Sequence, residues 1–109
     1  MTEIETLIQE IVQFRDQRDW KQFHNSKDLA LAISIEAAEL NELFLWKSAE
    51  DVNETHLREE LADILTYSIL LADKHGLDIP AIIREKLHQS AAKYPVEKAK
   101  GSAKKYNEL

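Results

Sequence analysis

The stretch Leu29–Trp46, LALAISIEAAELNELFLW, and its partner Leu61–Ala72, LADILTYSILLA, decide how this chain folds. Neither carries the alternating pattern of a strand, and both are rich in good helix formers. Between Leu29 and Leu40 the first run is apolar nearly all round, interrupted by Ser34, Glu36 and Glu39. The second behaves the same way after Glu60. A helix without a clean solvent face is covered on several sides. In a short chain, one way to cover it is a second copy of the same chain, so self-association is expected.

Each run holds two acids three residues apart, Glu36 with Glu39 and Glu60 with Asp63. On a helix, positions i and i+3 share a face. Helical geometry also puts Leu29, Ala32, Leu43 and Trp46 near the Glu36–Glu39 face, and Tyr67 in line with Glu60 and Asp63. The acids therefore sit on apolar faces, where an ionised carboxylate costs several kcal/mol unless it is paired. Acid pairs at this spacing are common on solvated helices, and salt bridges are the usual alternative. Yet no basic residue falls between Asp28 and Trp46 or between Glu59 and Ala72. A short connection makes the two helices antiparallel neighbours, so two carboxylate pincers face each other. Such a pocket calls for cations. All-oxygen ligation suits Mg²⁺ first and Mn²⁺ second. Carboxylate-held Mg²⁺ recruits substrate phosphates, and one spare carboxylate serves as general base for a water. Metal-assisted hydrolysis of a polyphosphate is the expected chemistry. Two other readings stay open: a carboxylate-bridged di-iron protein, and a non-catalytic helical interaction module. Helical di-iron sites add a histidine three residues after a ligand glutamate, and this chain has Glu39 and Asp63 at those positions.

Working outward, Thr2 and Glu5 form a capping-box pattern ahead of the stripe Ile4, Leu7, Ile8, Ile11, Val12 and Phe14. The stripe fades at RDQRDW, and Asp19–Ser26 reads as an irregular connection, with Asn25 or Ser26 capping the next helix. That helix is expected from about Lys27 to Trp46, and the third from about Glu54 to His75, closed by Gly76. Asp78 and Pro80 start a fourth helix, which Pro95 stops. The remainder, VEKAKGSAKKYNEL, reads as a lysine-rich tail, mobile or wrapping the surface. The expected fold is all-α, a four-helix-bundle-type single domain over residues 1–95 completed by subunit pairing, followed by the tail 96–109.

The 109 residues suffice for one domain, and the net charge of −6 argues against a nucleic-acid polymer as partner. Cysteine is absent, which removes disulfides, thiolate metal sites and a thiol nucleophile. No signal-peptide pattern and no uninterrupted apolar span is visible, so no membrane is expected and the cytoplasm is the expected location.

The pattern IEAAEL followed by EELADILTY resembles the ExxE…ExxD signature of the all-α MazG-like nucleoside triphosphate pyrophosphohydrolases. RDWKQFHNSKDLALAI, ELFLWK, EELADILTYSILLA, KYP and GSAKKY extend the likeness over nearly the whole chain, toward the subgroup that includes the dCTP pyrophosphatases. The resemblance implies cleavage between the α and β phosphates, to a nucleoside monophosphate and pyrophosphate. It implies Mg²⁺ dependence and active sites inside four-helix bundles made by paired subunits, as homodimers or homotetramers. It makes Glu36, Glu39, Glu60 and Asp63 the metal ligands, and sets His24, Trp46 and Tyr67 at nucleotide-contacting positions and Lys86 at a phosphate contact. On the fourth helix the relatives tend to carry lysine, asparagine and arginine where this chain has Lys86, Ser90 and Lys93. A serine lacks the two-sided hydrogen bonding of an amide, so base or sugar discrimination is expected to differ there.

Overall fold

The computed structural model describes all of residues 1–109, and every regular element in it is helical. Contacts divide the chain into two compact units, Met1–Gly76 and Leu77–Leu109. No helix is long and apolar enough to cross a membrane.

The first unit holds α1 (Glu3–Gln17), α2 (Ser26–Glu42) and α3 (Glu54–Lys74). The capping box opens α1: the Thr2 backbone N–H donates to Glu5 Oε2 at 2.9 Å, and the Glu5 N–H donates to Thr2 Oγ1 at 3.2 Å. Asn25 caps α2, its Oδ1 accepting from the Asp28 N–H at 2.8 Å. Asn53 does the same for α3 toward the His56 N–H at 3.1 Å, a cap hidden in an acidic and polar stretch of sequence. Gly76 closes α3 with φ +64°, the left-handed conformation glycine adopts without a Cβ penalty.

One boundary differs from expectation. The regular part of α2 ends at Glu42, not at Trp46. Its last turn carries Glu39 and Glu42 and no basic residue, so carboxylates face the negative end of the helix dipole. The chain tightens instead into i→i+3 bonds, Leu43 to Leu40 and Phe44 to Asn41 among them, at 3.1–3.2 Å. Trp46 then takes φ +64°, a conformation that costs a side-chain-bearing residue about 1–2 kcal/mol.

Helix α2 lies along α3, with α1 against α3 more sparsely. The pair is antiparallel: Ser26 Oγ meets His75 Nε2 at 2.8 Å across their outer ends, while Glu36 meets Glu60 and Asp63 further along. Burial is thin. Leu29 (2% exposed), Leu70 (4%) and Ala72 are the fully buried apolar residues, with Arg15 (7%) beside them. Leu31, Ile35, Leu61 and Leu65 remain exposed.

In the second unit, Asp78 caps α4 (Ile79–Lys93) by accepting from the Ala81 N–H at 2.9 Å, with Pro80 in the first turn. Residues 96–109 do not hang free. They form the short α5 (Val96–Ala99) and a final tight turn at Tyr106–Glu108. Tyr106 packs edge-on against Tyr94 at 6.1 Å, and Lys93 Nζ stands 4.9 Å from the Tyr106 ring centre.

Candidate metal centre

The antiparallel register of α2 and α3 brings Glu36, Glu60 and Asp63 together, with one oxygen from each inside 4.8 Å of the others. Glu36 and Glu60 are half-buried and Asp63 is exposed. Glu36 Oε2 and Glu60 Oε2 are sealed from solvent and have no hydrogen-bond partner. Two carboxylates face to face cannot satisfy each other unless one holds a proton or both share a cation. That is the donor set and the deficit a hard divalent ion fits, and its all-oxygen character offers nothing specific to softer metals.

The electrostatics agree. Glu36 titrates at about 7, far above the ordinary carboxylate range. The facing Glu60 carboxyl contributes most, then burial, then Glu39 as hydrogen-bond partner and by its charge, and last the charge of Asp63. Glu39 itself lies one turn along α2, outside the converging trio yet close enough to act on it. In the metal-free fold Glu36 therefore holds its proton more tightly than in the unfolded chain, where the value is 4.5. This contribution to stability is complete below about pH 4.5 and is lost as pH rises through about 7. A bound cation must displace that proton. Divalent-metal affinity is thus expected to climb from pH 5.5 to about 7 and then level off, which calorimetric titration of Mg²⁺ or Mn²⁺ across that range checks. An affinity that does not change with pH would contradict the arrangement.

The other residues picked out by sequence are distributed unevenly. Tyr67 follows Asp63 by one turn on α3 and is half-buried. Trp46, displaced from the helix by the early end of α2, is 93% exposed on a left-handed residue. His24 lies at the other end of the α2–α3 pair, next to Leu29 and Leu70 on the wall of a cavity. Its Nδ1 is buried and unpartnered, and burial followed by the Arg15 charge lowers its pKa, leaving a neutral ring near pH 7. Lys86, Ser90 and Lys93 belong to α4 in the second unit, where Lys86 and Ser90 line a shallow groove with Ile82, Ile83 and Leu87.

One residue escaped the sequence reading. Arg15 is buried on α1, though it sat in a segment read as the fading end of a stripe. Its signal was present: Ile4, Ile8, Ile11 and Arg15 recur at helical spacing, an arginine at an apolar position.

The MazG-like family pattern matches residues 31–109, which include all four acids. The chain is 38% identical over 105 residues to dCTP pyrophosphatase 1 of Rattus norvegicus and 36% identical to that of Homo sapiens. These alignments cover 89% of this chain but 62% of the relatives, so the chain spans about three-fifths of their length. Among solved structures, a pyrophosphatase from Archaeoglobus fulgidus superposes with a TM-score of 0.81 at 33% identity, covering 87% of this chain and 94% of that one. The match over well more than half of the sequence, with the fold to go with it, makes this chain a member of the MazG-like family.

Proposed function

We propose that this protein is a divalent-metal-dependent nucleoside triphosphate pyrophosphohydrolase, acting on dCTP or a related deoxynucleotide in nucleotide-pool house-cleaning. The observation that carries the proposal is the convergence of Glu36, Glu60 and Asp63 with two sealed, partnerless oxygens among them. The dCTP pyrophosphatases among the relatives support the substrate class. Mg²⁺ is the proposed ion and Mn²⁺ its substitute, since both accept carboxylate oxygens.

Glu36, Glu60 and Asp63 would hold the ion, with Glu39 at the margin. When bound, a divalent ion neutralises phosphate charge and polarises the phosphoryl oxygens. The chain's own residues do the rest. One of the four acids is the proposed general base for the attacking water, and Glu39, which is not among the converging three, is the one left freest for that role. The water oxygen bonds to the α phosphorus, the bond between that phosphorus and the bridging oxygen breaks, and pyrophosphate leaves with the bridging oxygen and the electron pair. Half-buried Tyr67 lies one turn from the acids, and Trp46 offers an exposed indole face for stacking on a base. His24 is a further proposed nucleotide contact, while Lys86, Ser90 and Lys93 are proposed for phosphate binding and discrimination. We place the catalytic domain in residues 1–95, with 96–109 as an appended segment.

The exposed Leu31 and Ile35 of α2 and Leu61 and Leu65 of α3 support self-association, as a dimer or a dimer of dimers. Two antiparallel pairs then complete a four-helix bundle around the acids.

The test is a panel of nucleoside triphosphates with purified protein and Mg²⁺, read by separate detection of pyrophosphate and orthophosphate. Pyrophosphate released from at least one deoxynucleotide, and none after chelation, is the expected result. Orthophosphate alone, or no release from any nucleotide, would contradict the assignment.

A further inference from the structure

The chain leaves α1 through a turn built on an unexpected residue. The Asp19 N–H donates to Asp16 O at 3.1 Å and the Trp20 N–H returns to Arg15 O at 3.2 Å. That pair of bonds closes a helix around one left-handed residue, which here is Asp19 at φ +54°. Helix α3 ends on a comparable turn, where Gly76 takes the left-handed place and donates to Asp73 O at 3.0 Å. Glycine costs least in this conformation, because a Cβ crowds the following carbonyl. At the end of α1 the chain instead keeps a carboxylate, exposed and outside the ion pairs Arg15–Asp16 and Lys27–Asp28.

What glycine could not supply is the second half of a clamp. Gln22 Nε2 donates to Asp19 O and to Asp19 Oδ2, both at 3.0 Å. The clamp spans the single 3₁₀ turn Lys21–Phe23, in which the Phe23 N–H donates to Trp20 O at 2.9 Å and the His24 N–H to Lys21 O at 3.1 Å. Short bonds thus lead step by step from Asp19 to His24. At the other end the turn is fastened to α1. Trp20 packs edge-on against Phe14 at 5.8 Å, and the Arg18 guanidinium lies 3.7 Å over the Phe14 ring centre. Of this whole connection, His24 is the residue with a sealed polar side-chain atom and no partner for it.

We propose that Asp19 and Gln22 are positioning residues for nucleotide binding, holding the connection in the conformation that aims His24. That role presupposes His24 as a nucleotide contact of the pyrophosphohydrolase site, and gives Asp19 and Gln22 no ligand of their own. Left-handed strain at an exposed aspartate is kept because the clamp needs its carboxylate. His24 lines the same wall as Leu29, which stands seven residues from Glu36, about 10 Å along the helix. An effect carried through His24 therefore falls on holding the substrate and not on the reacting phosphorus, so it appears in KM and spares kcat.

The experiment compares Asp19→Gly, Gln22→Ala and Asp19→Asn with the wild type in three readouts. These are thermal melting, KM and kcat for pyrophosphate release from dCTP with Mg²⁺, and the NMR signals of the His24 ring without nucleotide. Asp19→Gly should melt no lower than the wild type, since glycine relieves the left-handed backbone. It should nonetheless raise KM about fivefold or more, with kcat within about twofold. Gln22→Ala should raise KM alike. Asparagine tolerates the left-handed conformation and keeps an oxygen for Gln22, so Asp19→Asn should hold the wild-type KM. The ring signals of His24 should match in the wild type and Asp19→Asn, and shift or broaden in the other two. Unchanged ring signals in Asp19→Gly and Gln22→Ala overturn the proposal, as does an unchanged KM in both. A raised KM in Asp19→Gly that comes with a lower melting temperature also overturns it, since Asp19 would then serve the fold alone. Each of these results leaves pyrophosphate release by the wild type standing. A wild type that releases none would remove the hydrolase reading, and the ring signals would still decide the clamp.

Discussion

Glu36→Gln is expected to lower nucleotide hydrolysis by at least about a hundredfold while leaving the metal-free protein as stable as the wild type, or more so. The loss follows from the position of Glu36 in the converging trio, where its charge holds the ion. Removing one electrostatic contact of this kind costs about 10²–10³ in turnover. The stability effect has the opposite sign for the same reason. In the absence of a cation, Glu36 faces Glu60 with the charges of Glu39 and Asp63 nearby, and Glu60 Oε2 has no donor. A glutamine amide brings an N–H to that oxygen and removes one negative charge. A gain on the order of 1 kcal/mol, roughly a 4 °C rise in melting temperature, is reasonable for a chain of this size. Asp63→Asn should follow the same pattern, with a smaller thermal effect because Asp63 is exposed. Activity assays paired with thermal melts in EDTA check both halves. A Glu36→Gln protein of wild-type activity would remove the site.

Leu65→Glu, alone or with Ile35→Glu, is expected to break self-association. Ile35 is 58% exposed and Leu65 59%, and each lies one turn from another exposed leucine, Leu31 and Leu61. Each helix of the pair therefore carries an uncovered apolar stripe. An oligomer that covers those stripes would bury the new carboxylates without partners, at about 3 kcal/mol or more each. That is about a hundredfold or more in the association constant. In the separated chain the same substitutions are solvated and cost the fold little. Light scattering and sedimentation should show an oligomer for the wild type and a helical, smaller species for the variant. Activity should fall with it if the bundle around the acids needs both copies. A variant that keeps the wild-type mass would show that these stripes are not the interface.

The sequence revealed the acids through a conflict between charge and surroundings. Glu36, Glu39, Glu60 and Asp63 are placed where periodicity demands apolar side chains, and helical spacing alone was enough to pair them. The helix starts were readable for a related reason: Thr2, Asn25 and Asp78 are short polar side chains directly ahead of periodic runs. The end of α2 was not. Continued hydrophobicity through Leu45 and Trp46 hid the cost of Glu39 and Glu42 at the negative end of the dipole. Nor could spacing rank the four acids. That Glu36, Glu60 and Asp63 converge while Glu39 stands aside depends on the register between two helices, a tertiary quantity. The fold-back of residues 96–109 brings Tyr106 against Tyr94 and Lys93, within a stretch whose composition reads as solvated.

The most direct measurement is anomalous diffraction from crystals soaked in Mn²⁺. Difference density bounded by the carboxylates of Glu36, Glu60 and Asp63 is the outcome expected here. Manganese bound only elsewhere, or none bound while those three side chains separate into solvent, would contradict the central claim.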